Sequence, residues 1–234
     1  IGRRFYYYIF ITKVLSNIYP QPHADFTVLA QYCLGATSNF TSTSNGQGNT
    51  ITNWFWNFGD GQTSTLQNPS HVYATAGSFA VKHWIITDKG CYSDTMLKSI
   101  VINNLPTGNF SFNTPSCETK VITFNDLSQP NSGNLNSWAW DFGDPASGVA
   151  NTSSLQNPTH TFNTAGTYTV SLTVLSDVGC QGVVFQKKVT INSQPLPGFI
   201  LLQVCLSYAF AQFTATSKNT NGVIKGGHWK FGEP

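Results

Sequence analysis

With 234 residues, 40% of them hydrophobic, the chain is long enough for one or two domains and apolar enough to bury a core, which excludes disorder driven by low hydrophobicity. Only 9% of residues are charged, against about 25% in ordinary soluble domains, and the formal net charge is +2. A field that weak excludes nucleic acid and acidic membrane surfaces as electrostatically recruited partners. The first predicted element is a β-strand over residues 5–19, where aromatic and β-branched residues crowd together. Arg3-Arg4 ahead of it has the look of a targeting segment, but no small-residue cleavage site follows. The same stretch is too short for a membrane span, which needs about 18–20 apolar residues, and Thr12, Lys13, Ser16 and Asn17 interrupt it. A start at Ile1 rather than Met suggests a processed product or a fragment.

An internal repeat follows. Trp56-Asn-Phe58-Gly59-Asp60-Gly61 recurs 84 positions later as Trp140-Asp-Phe142-Gly143-Asp144, and again after 89 more as Trp229-Lys-Phe231-Gly232-Glu233. Pro22, Pro106 and Pro195 keep the same spacing, as do Phe26, Phe110 and Phe199. Leu66-Gln-Asn-Pro-Ser-His71 matches Leu155-Gln-Asn-Pro-Thr-His160, and Ala76-Gly77-Ser-Phe79 matches Ala165-Gly166-Thr-Tyr168. The predicted organisation is a strand-like extension over residues 1–21, a first repeat over 22–104, a second over 105–193 and part of a third over 194–234.

Each repeat is predicted to be all-β. Tyr168-Thr-Val170-Ser-Leu172-Thr-Val174 alternates with period two, the pattern of a strand with one buried face. Trp138, Trp140 and Phe142 share a face of a second strand. The Gly-Asp-Gly after Phe58 is turn chemistry, because glycine takes positive φ cheaply and aspartate caps nearby backbone. Short strands over about 85 residues suit a seven-stranded sandwich. The linkers around Pro106 and Pro195 are short and stiffened by proline.

The order Trp-x-Phe-Gly-Asp, Asn-Pro-x-His-x-Tyr/Phe, Ala-Gly-x-Phe/Tyr-x-Val resembles the PKD-domain family. The elements carrying it are 56–61, 68–73 and 76–81, then 140–144, 157–162 and 165–170. The resemblance implies tandem immunoglobulin-like β-sandwiches in the extracellular parts of large proteins. The second repeat departs from the pattern with Pro145 in place of Gly61 and an insertion through Ala150.

Cys33 and Cys91 occupy the repeat positions of Cys117 and Cys180. One pair per repeat predicts disulfides Cys33–Cys91 and Cys117–Cys180, with buried free thiols as the alternative. Disulfides closing loops of that length contribute about 4 kcal/mol each and imply an oxidising compartment. His71 and His160 recur without any serine, cysteine or carboxylate in a nucleophile arrangement, so they are expected to be structural and the chain not to be an enzyme. Asp60, Asp141 and Asp144 offer oxygens to Ca²⁺, but no dense carboxylate run accompanies them and a turn role is the ordinary alternative. Neither CxxC nor His-x-x-x-His spacing occurs, so no metal site and no cofactor is expected.

His83 falls where Leu172 points inward and Trp84 where Thr173 points outward, which makes Trp84 a candidate contact residue unless a bulge reverses the two. Sequons at Asn39, Asn109 and Asn151 are possible glycan acceptors. The function expected is an extracellular structural and adhesive repeat protein, a component of a rod or filament. Its partners would be other copies of the chain or neighbouring repeats, and surface glycans or proteins. The alternative is a polymer- or carbohydrate-binding spacer module of a secreted hydrolase. The leading strand at 5–19 and the incomplete third repeat together suggest strand donation between copies.

Overall fold

The computed structural model describes residues 18–29, 32–114, 116–201, 213–219 and 223–231. The leading strand expected over 5–19 lies outside these residues except for Ile18 and Tyr19. Two compact units are present, one ending at Ile102 and the other beginning at Asn103.

The described residues of the first unit contain seven strands: β1 (Phe26–Leu29), β2 (Thr37–Ser42), β3 (Ile51–Asn57), β4 (Thr63–Ser64), β5 (Ser70–Val72), β6 (Gly77–Thr87) and β7 (Met96–Ile102). They form two sheets, ordered β1-β2-β5 and β4-β3-β6-β7, and every pairing is antiparallel. The second unit repeats this plan with β8 (Phe110–Phe112), β9 (Val121–Asp126), β10 (Leu135–Asp141), β11 (Thr152–Ser153), β12 (Thr159–Thr161), β13 (Gly166–Ser176) and β14 (Phe185–Ile191). Its sheets are β12-β9-β8 and β11-β10-β13-β14. The insertion after Asp144 forms a 3₁₀ segment, Pro145–Asn151, between β10 and β11. Further along the chain β15 (Phe199–Leu201) and β16 (Phe213–Ala215) pair antiparallel. The expected all-β tandem sandwich is the architecture observed.

Period two accounts for the cores. In β13, Val170, Leu172 and Val174 are buried while their neighbours alternate outward. Facing them from the smaller sheet are Phe110, Ile122 and Phe124, with Trp140, Phe142, Phe162, Val189 and Ile191 completing the cluster. The first unit matches it with Phe26, Phe40, Trp56, Phe58, Tyr73, Val81, Ile100 and Ile102. Phe26 meets Trp56 edge to face at 5.2 Å, and Phe110 meets Trp140 likewise at 5.1 Å. The largest fully buried side chains in both cores are aromatic, Trp56, Tyr73, Phe26, Phe40, Phe110 and Phe124 among them.

Candidate functional site

The recurring Trp-x-Phe-Gly-Asp element closes one end of each sandwich. Trp56 and Trp140 are buried, and each indole Nε1 donates to a carbonyl across the loop, Leu66 and Leu155, both at 2.9 Å. The glycine after the phenylalanine is required twice over. Gly59 and Gly143 have φ of 86° and 68°, and a Cβ at either would lie 2.9 Å from Ala80 backbone or 2.5 Å from the Thr169 carbonyl oxygen. The Asn57 carboxamide accepts the Gly59 amide at 2.9 Å, and the Asp141 carboxylate accepts the Gly143 amide at 2.8 Å. Asp141 thus holds a turn, and it also accepts from the Asn151 side-chain amide at 3.0 Å.

Asp60 and Asp144 each reach a histidine on the other sheet. His71 Nε2 lies 2.7 Å from Asp60 Oδ2, and His160 Nε2 lies 3.1 Å from Asp144 Oδ2. The His71 ring stacks on Phe58 at 4.2 Å and meets Tyr73 edge-on at 4.5 Å, while His160 does the same with Phe142 at 4.3 Å and Phe162 at 4.5 Å. Burial pushes the Asp60 carboxyl up, but the Gln62 amide and His71 outweigh it and hold it below the ordinary 3.8. This is a clamp between β5 and the loop after β3, or between β12 and the loop after β10. Among the described residues neither of these two imidazoles bonds a hydroxyl or thiol; each bonds a carboxylate instead. No group of three or more His, Cys, Asp or Glu side chains is arranged to hold a metal among the described residues. Of the carboxylates considered for Ca²⁺, Asp60 accepts from the Gln62 amide and faces His71, Asp141 accepts from the Gly143 amide, and Asp144 faces His160.

At the centre of the large sheet the two repeats diverge. His83 points inward and is fully buried, stacked on Trp56 at 3.8 Å. Its Nδ1–H donates to the Phe55 carbonyl at 2.9 Å, and Nε2, the acceptor in that tautomer, lies 3.0 Å from both the Ser42 and Ser44 hydroxyls. Burial pushes this imidazole below its ordinary 6.5, against the Phe55 carbonyl and Asp25, which pull the other way. In the second repeat Leu172 fills the place of His83, Asp126 stands where Ser42 does, and Trp138 Nε1 donates to Asp126 Oδ2 at 2.8 Å. Sequence reasoning left open whether His83 or Trp84 faces inward, and it missed this exchange of networks. Its signal was the paired change Ser42 to Asp126 and His83 to Leu172.

Trp84, on the opposite face of β6, lies directly across from Phe55 of β3, and the two rings stack at 5.4 Å and 7°. No bulge turns it inward. The corresponding cross-strand pair in the second repeat is Ala139 and Thr173.

Neither expected disulfide forms. Cys91 and Cys117 carry free thiols, whereas Cys33 and Cys180 are disulfide-bonded. The reason is position within the repeat. Cys117 bridges Asn192, next to Ile191, which pairs with Gly166 at the start of β13. The Cys180 carbonyl accepts the Ser176 amide at the far end of the same 11-residue strand, so roughly 33 Å of extended chain separates the two. A disulfide tolerates about 7 Å between Cα atoms. The first repeat has the same arrangement. The Cys91 carbonyl accepts the Thr87 amide at the end of β6, and Cys33 precedes β2 beside Leu34, which packs on the same core as Phe79 near the start of β6. Equal positions in two repeats suggested pairs, but only the fold shows that the two positions lie at opposite poles.

No helix among the described residues is long and apolar enough to cross a membrane. A family model described as PKD domain matches residues 19–102 and 103–191. The chain is 34% identical over 94 residues to collagenase ColA of Bacillus cereus, covering 40% of this chain and 9% of the collagenase. It is 35% identical over 82 residues to the pre-pro-metalloprotease PrtV of Vibrio cholerae, covering 35% of this chain and 8% of that protein. The chain thus spans less than a tenth of the length of either relative. The crystal structure of the PKD1 domain of the same metalloprotease is 32% identical, with 36% of this chain and 98% of that one covered, at a TM-score of 0.33. With matched segments covering both complete repeats, the chain belongs to the PKD-domain family.

Proposed function

We propose that the chain is a non-catalytic structural and adhesive repeat of an extracellular protein, a component of a rod or surface filament that makes contacts through its first repeat. The observation that carries the contact role is the Phe55–Trp84 pair. The tryptophans, glycines and Asp–His clamps that the two repeats share point into the cores or close a loop, whereas this aromatic pair lies on the outer face of one repeat and is replaced by Ala139 and Thr173 in the other. The fold therefore does not need it. Polar and flexible neighbours on that face, Asn53, Asn57 and Lys82, supply hydrogen-bond donors beside the rings. Sugar rings or apolar side chains are the chemistry such a face accepts. The disulfide-bonded Cys33 and Cys180 support an oxidising, extracellular setting.

A second reading is an accessory module that holds a hydrolase on an insoluble polymer. What favours it is that the relatives matched are named as a collagenase and a metalloprotease. One experiment addresses both. The chain and its Phe55→Ala/Trp84→Ala double variant are incubated with insoluble collagen, cellulose and chitin, and with cells displaying surface glycans. Retention that drops about tenfold in the variant, the equivalent of about 1.4 kcal/mol, supports a contact role for the face. Equal retention of both proteins on every surface removes it. Retention on polymer alone favours the accessory module over the adhesive repeat.

A further inference from the structure

Each repeat carries one cysteine at each end of its long central strand, and the four described cysteines divide evenly. Cys33 and Cys117 occupy one pole: each accepts an amide three residues on, from Ala36 at 3.0 Å and Lys120 at 3.3 Å. Cys91 and Cys180 occupy the other: each carbonyl caps the strand end, from Thr87 at 3.1 Å and Ser176 at 2.9 Å. One cysteine of each class is disulfide-bonded, Cys33 and Cys180, and one of each class is free, Cys91 and Cys117. Both free thiols are partly exposed. Neither bonded cysteine is joined to the other cysteine of its own repeat, because that residue is free in both cases.

We propose that Cys91 and Cys117 are end-to-end coupling sites, each forming a disulfide with the cysteine of the opposite class on another repeat, which in a solution of this chain a second copy supplies. The positions themselves are competent, since their counterparts Cys180 and Cys33 are oxidised in the same local geometry. Intra-repeat closure is blocked by the separation along the strand. A bond between opposite poles is head to tail, and one such bond leaves one thiol of each class for a further copy. The chemistry is thiol–disulfide exchange with a small oxidised disulfide. The Cys91 thiolate attacks it, releasing one thiol and leaving a mixed disulfide. The Cys117 thiolate of the second copy then attacks the Cys91 sulfur, a second thiol leaves, and the two protons pass to solvent or to those thiols. This coupling rests on the structural reading above but not on the Phe55–Trp84 contact.

The test mixes ordinary and nitrogen-15-labelled chains at high concentration in oxidised and reduced glutathione. Products are run on a non-reducing gel and mapped by mass spectrometry. The expected result is a ladder of covalent multimers containing a Cys91–Cys117 linked peptide with one labelled and one unlabelled half. Cys91→Ser removes the only described free thiol of its class and is expected to abolish the ladder while leaving the circular dichroism spectrum unchanged. Glutathione adducts on unlinked monomers, a Cys33–Cys91 or Cys117–Cys180 peptide, Cys91–Cys117 peptides without label mixing, or a ladder persisting in Cys91→Ser would each overturn the proposal. Should Cys91→Ser fail to fold, the mapping of the unaltered chain decides alone. Light scattering of the same samples under reducing conditions reports any non-covalent assembly, so loss of the disulfide link is distinguishable from loss of the structural reading.

Discussion

The first and second repeats share strand order, the indole-to-carbonyl bond, the strained glycine and the Asp–His clamp, yet they fill one central position with opposite chemistry. The first buries His83 against Trp56 and satisfies it with Ser42, Ser44 and a backbone carbonyl. The second buries Leu172 and places the neighbouring polarity on the Asp126 carboxylate, which accepts from Trp138, Gln156 and the Ser128 amide. A buried imidazole is tolerable only with partners for both nitrogens, so His83 and the serines form one unit that must change together. The comparison shows that the fold depends on the shape of the aromatic cluster and on complete hydrogen bonding, and not on a particular residue at its centre. It also shows where the repeats are free to specialise: the outer face of the same strands, where Phe55 and Trp84 have no counterpart.

The largest expected effect tests what is common. Trp56→Ala and Trp140→Ala are expected to destabilise their own repeats by about 3–5 kcal/mol, from lost burial, the cavity left and the orphaned carbonyl. Hydrogen exchange followed repeat by repeat checks this, and equal protection in wild type and variant would show the core to be misassigned. Next in size are the glycines. Gly59→Ala and Gly143→Ala force a side chain into a left-handed backbone against main-chain atoms at 2.9 and 2.5 Å. Losses of about 1–3 kcal/mol are expected, larger at Gly143, read as a fall in the urea midpoint of that repeat.

Exchanging the central residue sharpens the difference between repeats. His83→Leu leaves the Ser42 and Ser44 hydroxyls without their nitrogen partner and is expected to cost about 1–3 kcal/mol, whereas His83→Leu combined with Ser42→Asp recovers part of it by offering Trp54 the acceptor that Trp138 has. A double variant no more stable than the single one would break the idea of a coupled unit.

The smallest effect is on pH. The His83 pKa is lower in the folded state than the ordinary 6.5, so the unfolded chain binds the extra proton first. Stability contributed by the neutral imidazole is complete above 6.5 and falls as pH drops from there towards the folded pKa, by up to 1.4 kcal/mol per pH step. Asp60 and Asp25, both held below 3.8, lose their contributions only at lower pH. Denaturation of the first repeat between pH 7 and 5 is therefore expected to be more acid-sensitive than in His83→Leu. Parallel pH profiles for the two proteins would refute it.

The sequence by itself determined the sandwich and the repeat, because burial in a strand alternates with period two and turn glycines and aspartates announce the bends. It left open which of His83 and Trp84 faces inward, because a bulge would have reversed them; the unbroken pairing of β6 with β3 at these positions puts His83 inside and Trp84 on the outer face. The partners were decided only by tertiary structure. His71 finds Asp60, and His83 finds two serines, across loops and sheets whose approach no local pattern encodes. The cysteines make the point most sharply: repetition along the chain suggested that two positions belong together, while an 11-residue strand between them carries them to opposite ends of the repeat. Spacing along a sequence says which residues are equivalent, and only the folded path of the backbone says which are near.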